Sequence, residues 1–272
     1  MLEVIKVNYT KLNEHSWDKW SSDKCVWTIP ITTEEFEKAK NHDFAIYLTP
    51  IKSVPMDWYR PLEGKNVLGL ASGGGQQCPV FVAEGANVTV MDISQEQLNS
   101  ERYVAERENY KITLVKGDMT CDFPFEDESF DMIFNPVSNS YIEDLKHVWK
   151  ECYRVLKQGG ILLSGFANPV IYLYESCGAR IELKYSMPYN PLKDLSKEQL
   201  DKLIISDGVQ FGHSFEEQIR GQLKEGFILV DFYEDYHPQN NAVNKYDTRI
   251  GEIASYLSNY MPIYFATKVI KR

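Results

Sequence analysis

The feature that most constrains this 272-residue chain is a short β-rich run that empties into three consecutive glycines. In the stretch Asn66-Val-Leu-Gly-Leu-Ala-Ser-Gly-Gly-Gly-Gln-Gln77, Asn66–Ala71 reads as a strand and the residues after Gly75 as a helix. Gly73, Gly74 and Gly75 let the backbone turn sharply and let a ligand approach where any Cβ would collide. The helix start that follows offers free N–H groups to anionic oxygens. Such a turn can also serve only to pack a strand on a helix. Asp92 sharpens it, because it closes the next β-rich run, Asn87–Asp92, 19 residues past Gly73. At that place a nucleoside-binding fold sets a carboxylate to accept ribose hydroxyls.

The same alternation continues. Lys111–Lys116, Phe130–Asn135 and Gly160–Ala167 read as third, fourth and fifth strands, with amphipathic helical stretches between most of them. Ser94-x-x-Gln97 and Ser140-x-x-Glu143 are capping-box patterns. After the second, Leu145, Val148, Trp149, Cys152, Val155 and Leu156 form one apolar helical face that Gly159 and Gly160 should stop. Past Ala167 the pattern changes. Residues 169–213 are rich in Pro, Tyr and Ser and hold one helical stretch, Ser196–Ile205. A helix over Phe215–Lys224 ends at Gly226, and Phe227–Tyr233 and Pro262–Val269 are two β runs joined by a long polar loop. The expected fold is α/β: a Rossmann-like, doubly wound, mostly parallel seven-stranded sheet with helices on both faces. One domain should span 1–272, with an aromatic N-terminal cap (1–60), a core (61–168 and 214–272) and an insertion or lid (169–213).

Composition narrows the partners. With 29 Lys+Arg against 39 Asp+Glu, the net charge is −10. Nucleic-acid binding draws on basic surface, and an anionic membrane selects for it too, so neither partner is expected. No apolar run approaches the ~20 residues of a membrane span. The first residues lack the basic and apolar regions of a signal peptide. Five cysteines (Cys25, Cys78, Cys121, Cys152 and Cys177), none in a C-x-x-C pair, suit a reducing, cytoplasmic setting. The five histidines are scattered and no metal site is expected. There is no P-loop, no H-E-x-x-H and no G-x-S-x-G elbow.

Gly73-x-Gly75-x-x-Cys78 approximates the dinucleotide fingerprint, which keeps an NAD(P)-dependent oxidoreductase open. The core as a whole, over residues 64–168, resembles the class I S-adenosylmethionine-dependent methyltransferases, of the small-molecule type. The resemblance rests on Gly69-Leu-Ala-Ser-Gly-Gly-Gly75, Asp92-Ile-Ser94, Gly117-Asp-Met119, Phe123-Pro-Phe-Glu-Asp-Glu-Ser-Phe-Asp-Met-Ile133 and Tyr153-Arg-Val-Leu-Lys-Gln-Gly-Gly-Ile161. It implies S-adenosylmethionine as cofactor and S-adenosylhomocysteine as product. The implied binding set is Ala71, Ser72, Gly73, Gly74, Gly75, Gln77, Asp92, Ile93, Gln97, Gly117, Asp118, Met119, Asn135 and Pro136. Two departures stand out: Gly69 replaces the usual acidic residue and Ala71 a usual glycine. Gln76 and Gln77 are expected to compensate by holding the methionine end. A cofactor-binding module without catalysis is a third reading, raised by Gly69. The loop Asn135-Pro-Val-Ser138 is similar to the Asn/Asp-Pro-Pro-aromatic loop of amino-directed methyltransferases, without its second proline and its aromatic ring.

A methyl sulfonium is already activated, so such a site needs proximity, alignment and dryness more than a catalytic group. Where a base is used, Tyr141, His15, Asp18 and His213 are the candidates. Four of the five tryptophans, Trp17, Trp20, Trp27 and Trp58, fall in the N-terminal segment, which either closes over the cofactor or packs the sheet. Tyr172, Tyr174, Tyr185 and Tyr189 make the insertion the expected source of specificity for a small-molecule acceptor.

Overall fold

The computed structural model describes residues 8–176, 180–238 and 249–272. Seven strands form one sheet in the order β3-β2-β1-β4-β5-β9-β8. They are β1 (Asn66–Leu70), β2 (Asn87–Asp92), β3 (Thr113–Lys116), β4 (Phe130–Asn135), β5 (Leu156–Ala167), β8 (Phe227–Asp235) and β9 (Tyr264–Lys271). The first five are parallel, and β9 runs antiparallel between β5 and β8. A separate hairpin, β6 (Tyr174–Ser176) with β7 (Ile181–Leu183), belongs to the insertion.

Alternate strand residues feed two cores, as the two-residue period requires. Val67, Val90 and Phe134 face one side with Phe81 and Leu98, which lie on α3 (Cys78–Ala83) and α4 (Gln95–Glu108). Leu68, Leu70 and Ile133 face the other with Trp149 and Cys152 of α5 (Leu145–Val155). The four parallel turns that follow β1, β2, β3 and β4 therefore share one edge of the sheet. That edge is the crevice where the strand order reverses beside β1.

The remaining helices are α1 (Tyr9–Ser22), α2 (Thr33–Lys40), α6 (Pro191–Asp194), α7 (Lys197–Ser206), α8 (Gly221–Glu225) and α9 (Arg249–Leu257). Several boundaries move from where the sequence puts them. β1 stops at Leu70 because Ala71 takes a left-handed φ of 47°. The Ser140-x-x-Glu143 box does not cap α5. Ser140 sits in a 3-10 turn, Asn139–Tyr141, and Asp144 is the cap, accepting from the Lys146 N–H. At the other end α5 stops at Val155, ahead of the two glycines, since Leu156 already pairs with Phe130. The helix after Ser214 opens as a π-helix, Glu216–Arg220, before α8 and the left-handed Gly226. The loop between the last two β runs holds α9, whose Ile250, Ile253, Ala254 and Leu257 fill a third core with Ile171, Tyr172 and Tyr189.

The N-terminal tryptophans sit in different surroundings. Trp58 is fully buried, rests on Tyr233 at a ring distance of 5.2 Å and donates its indole N–H to Asp231 at 2.8 Å. Trp17 instead stands edge-on to Trp20 and to Tyr141, 5.5 Å away. α1 buries polar residues toward the protein. Asn13 donates to the Tyr141 and Val209 carbonyls and accepts from the Val209 N–H, and Ser16 donates to the Ile204 carbonyl. Hydrogen bonds thus tie α1 to the insertion. Cys25, Cys78, Cys121 and Cys152 are free thiols, and Cys177 lies outside the described residues. No helix among the described residues is long and apolar enough to cross a membrane.

Candidate cofactor and acceptor site

The glycine turn is braced by β2 and α4. The Gly73 N–H donates to Asp92 Oδ2 at 3.0 Å, the Ser94 N–H to Oδ1 at 2.9 Å, and the Gly74 N–H to the Gln97 carbonyl at 3.0 Å. A Cβ on Gly73 would lie 2.9 Å from Asp92 Oδ2 and 2.8 Å from the Gln97 Cβ. Glycine at 73 is what lets the turn settle onto the carboxylate. The Gly75 N–H donates to Glu101 Oε1 at 2.7 Å, and the Gly75 carbonyl accepts from Ile31 at 2.9 Å.

Asp92 is almost wholly buried, and its carboxyl is pushed up to about 6. Burial is the cause, with the Ser94 and Gly73 N–H groups opposing it. Each Asp92 oxygen already takes one N–H and keeps a lone pair for a second donor, which is what a ribose diol supplies. Gln97 Oε1, also buried, has no hydrogen-bond partner and lies 3.1 Å from where a Gly74 Cβ would stand. These groups fit a nucleoside cofactor. Ile93 follows the end of β2 beside them, half-buried. On the neighbouring turn the Gly117 N–H donates to the Asp92 carbonyl at 3.0 Å, Asp118 Oδ1 accepts from the Thr120 N–H and hydroxyl, and Met119 is buried.

Other predicted residues serve the frame. Gln77 Oε1 accepts from the Tyr47 N–H at 2.9 Å and Gln76 donates to the Ile29 carbonyl at 3.0 Å. Gln77 Oε1 and Gln76 Nε2 thus engage the N-terminal segment. The Asn135 side chain, fully buried, donates to the Leu70 carbonyl and Ser138 Oγ and accepts from Asn139. It brackets the β4 turn, and Pro136 follows it half-buried.

The four candidate bases scatter. His15 is exposed on α1. Asp18 caps α4 from outside, accepting from the Ser94 hydroxyl at 2.6 Å and the Glu96 N–H at 3.2 Å. His213 is buried with Nε2 2.7 Å from the Ile142 carbonyl. Only Tyr141 belongs to a cluster of polar groups beside the β4 turn. Its hydroxyl accepts from Gln210 Nε2 at 3.4 Å, while Gln210 Oε1 accepts from Tyr172 at 2.9 Å. Burial pushes both phenols above their ordinary range, so they stay protonated. Gln210 had no pattern in the sequence to single it out. Asp122, His147 and Glu151 bring ligand-type atoms within 4.8 Å of one another, but Arg154 engages both Glu151 oxygens and Asp122 is exposed. A groove of about 880 Å³ lies at the opposite, N-terminal strand ends, lined by Asn66, Asn87, Thr113 and Phe130.

Known proteins agree with this geometry. Residues 68–164 match the family described as "Methyltransferase domain". The chain is 48% identical to the uncharacterized methyltransferase YbaJ of Bacillus subtilis, over 82% of this chain and 89% of that protein. It is 32% identical to the demethylmenaquinone methyltransferase of Clavibacter sepedonicus, over 42% of this chain and 46% of that one. Geranyl diphosphate methyltransferase solved in complex with SAM shares the fold, with a TM-score of 0.57 at 16% identity, covering 80% of this chain and 82% of that chain. The dinucleotide oxidoreductase and the module without catalysis are thereby set aside. Sheet order, glycine turn, acidic strand end and relatives together place the chain in the class I S-adenosylmethionine-dependent methyltransferase family, as an enzyme using that cofactor.

Proposed function

We propose that the enzyme methylates a small organic molecule, neutral or cationic, held beneath α1 and the 169–213 insertion. The observation that carries this is the tether of α1. Asn13 binds it to Val209 of the insertion and to Tyr141 beside the β4 turn, so two added segments meet over one edge of the sheet. A roofed site of that kind, in a protein of net charge −10, suits a compact acceptor and not a nucleic acid or an anionic membrane.

In this reading the cofactor supplies the electrophilic methyl. Ala71, Ser72 and the Gly73–Gly75 turn carry its methionine end, Asp92 takes the ribose hydroxyls, and Ile93, Gln97 and the Gly117-Asp118-Met119 turn surround the base. Tyr141, Gln210 and Tyr172 orient the acceptor by hydrogen bonds while α1 excludes water. Protonated phenols donate and do not remove protons, so in this reading the acceptor's nucleophilic atom already carries a free lone pair and needs no deprotonation before attack. The protein acts in a reducing compartment as a cytoplasmic enzyme, consistent with the free thiols.

Incubation with methyl-labelled cofactor and a cell extract tests this. Label is expected in the low-molecular-weight fraction, in a species identifiable by mass. Label confined to protein, nucleic acid or lipid vesicles overturns the small-acceptor assignment.

A further inference from the structure

Gly69 occupies the strand end where enzymes of this family usually carry Asp or Glu. A Cβ on Gly69 would lie 2.4 Å from the Cys78 sulfur, so a side chain could stand there only if that thiol moved. That thiol fills the space and reaches back to the Ser72 carbonyl at 3.6 Å. A carboxyl group nevertheless enters the loop from another element. Glu101, on the second turn of α4, is fully buried and accepts the Gly75 N–H through Oε1 at 2.7 Å. Its second oxygen, Oε2, is buried with no hydrogen-bond partner.

We propose that Glu101 is a positioning residue that replaces the absent strand-end acid, fixing the glycine loop in its cofactor-binding shape. Gly75 has a φ of +72°, a backbone state that needs outside support to persist as one conformer. It gets that support from both sides, Glu101 on its N–H and Ile31 on its carbonyl. The rest of the Glu101 environment is adverse to charge. Cys78, Asp92 and Tyr110 are its titratable neighbours, none of them cationic, and burial pushes its carboxyl up to about 8. An apolar residue of equal size would suit folding better, since a buried, half-satisfied carboxyl costs stability. Retaining it there makes sense if loop shape is what it provides. Gly69, Cys78 and Glu101 then form one linked exchange. Glycine makes room for the thiol, and the carboxyl moves from the strand to the helix.

The inference rests on S-adenosylmethionine as cofactor, and wild-type binding of S-adenosylhomocysteine in the same titrations keeps the two apart. Glu101→Met keeps the volume and removes the acceptor. It is expected to melt at or above the wild-type temperature while its affinity for S-adenosylhomocysteine, by calorimetry, falls at least about tenfold. Glu101→Gln keeps an acceptor for the Gly75 N–H and should stay within about threefold of wild type. Adding Gly69→Asp and Cys78→Ala to Glu101→Met returns a carboxyl to the strand end and should restore most of the affinity. Wild-type affinity in Glu101→Met, equal loss in Glu101→Gln, or no recovery in the triple variant overturns the proposal. So does a Glu101→Met protein that unfolds or melts well below wild type, which would mark the residue as structural.

Discussion

Asp92 gives the sharpest quantitative expectation, because its ionisation is coupled to the ligand it would hold. In the free protein its carboxyl is pushed up to about 6 by burial beneath the glycine turn. Only the carboxylate can accept both ribose hydroxyls while keeping the Gly73 and Ser94 N–H groups. Protonation converts one acceptor into a donor. If binding requires the ionised form, the apparent affinity equals the intrinsic one multiplied by the ionised fraction. That fraction is about nine-tenths at pH 7 and about one-tenth at pH 5 for a group titrating near 6. S-adenosylhomocysteine should therefore bind about tenfold more weakly at pH 5 than at pH 7, with binding releasing about one proton at pH 5 and almost none at pH 7. The ordinary ranges of amino and carboxyl groups lie outside this window. The sign for stability is the reverse. A carboxyl whose folded value lies above its unfolded value adds stability below about 4, and that contribution is lost as pH rises through about 6. Acidification over this window should thus tighten the apo fold at Asp92 while loosening the ligand. Isothermal titration at pH 5, 6 and 7, with circular dichroism to confirm the fold, measures both. Equal affinity at pH 5 and 7 in a folded protein would refute the assignment of Asp92 as the ribose acceptor.

Three further substitutions separate the parts of the site. Gly73→Ala places a methyl within 3 Å of Asp92 Oδ2 and Gln97 Cβ, so the turn must lift off the strand end. Cofactor affinity should fall at least about tenfold by calorimetry with a normal circular dichroism spectrum. Tyr172→Phe removes the hydroxyl that donates to Gln210. It should raise acceptor KM by about three- to tenfold in steady-state assays and leave S-adenosylhomocysteine binding unchanged. Trp58→Ala empties a fully buried site against Tyr233, costs about 3–5 kcal/mol and should lower Tm by about 6–20 °C in a thermal scan.

Much of the core was legible because its signals are local. β2 and β4 coincide with the runs Asn87–Asp92 and Phe130–Asn135, where alternate apolar residues must be buried on both faces of a parallel sheet. The caps Ser94 and Ser196 act within three residues of their partners and were readable for the same reason. α9 had its signal too. Ile250, Ile253, Ala254 and Leu257 recur at helical spacing, though a polar stretch before them reads as loop. Ser140 shows where local rules fail. Its box pattern is sound in isolation, but the Asn135–Ser138–Asn139 hydrogen bonds hold the chain in a turn, and the helix starts four residues later at Asp144.

The site itself depends on pairs that no spacing rule connects. Asp18 reads as a candidate base in the tryptophan-rich N-terminal segment, yet it caps a helix 76 residues away through Ser94. Gln76 and Gln77 sit at the start of the helix after the glycine turn, and Gln76 Nε2 and Gln77 Oε1 bond to Ile29 and Tyr47. In each case a half-buried polar group takes a partner far away in the sequence, a pairing that no local spacing announces. The buried polar atoms near the turn that lack partners among the described residues include Gln97 Oε1 and Glu101 Oε2. A group left unsatisfied in an otherwise well-paired edge of the sheet is where a ligand, or the loop that holds it, has the most to contribute. That is why the cofactor edge is better located by what the frame leaves over than by the candidates that chemistry alone would nominate.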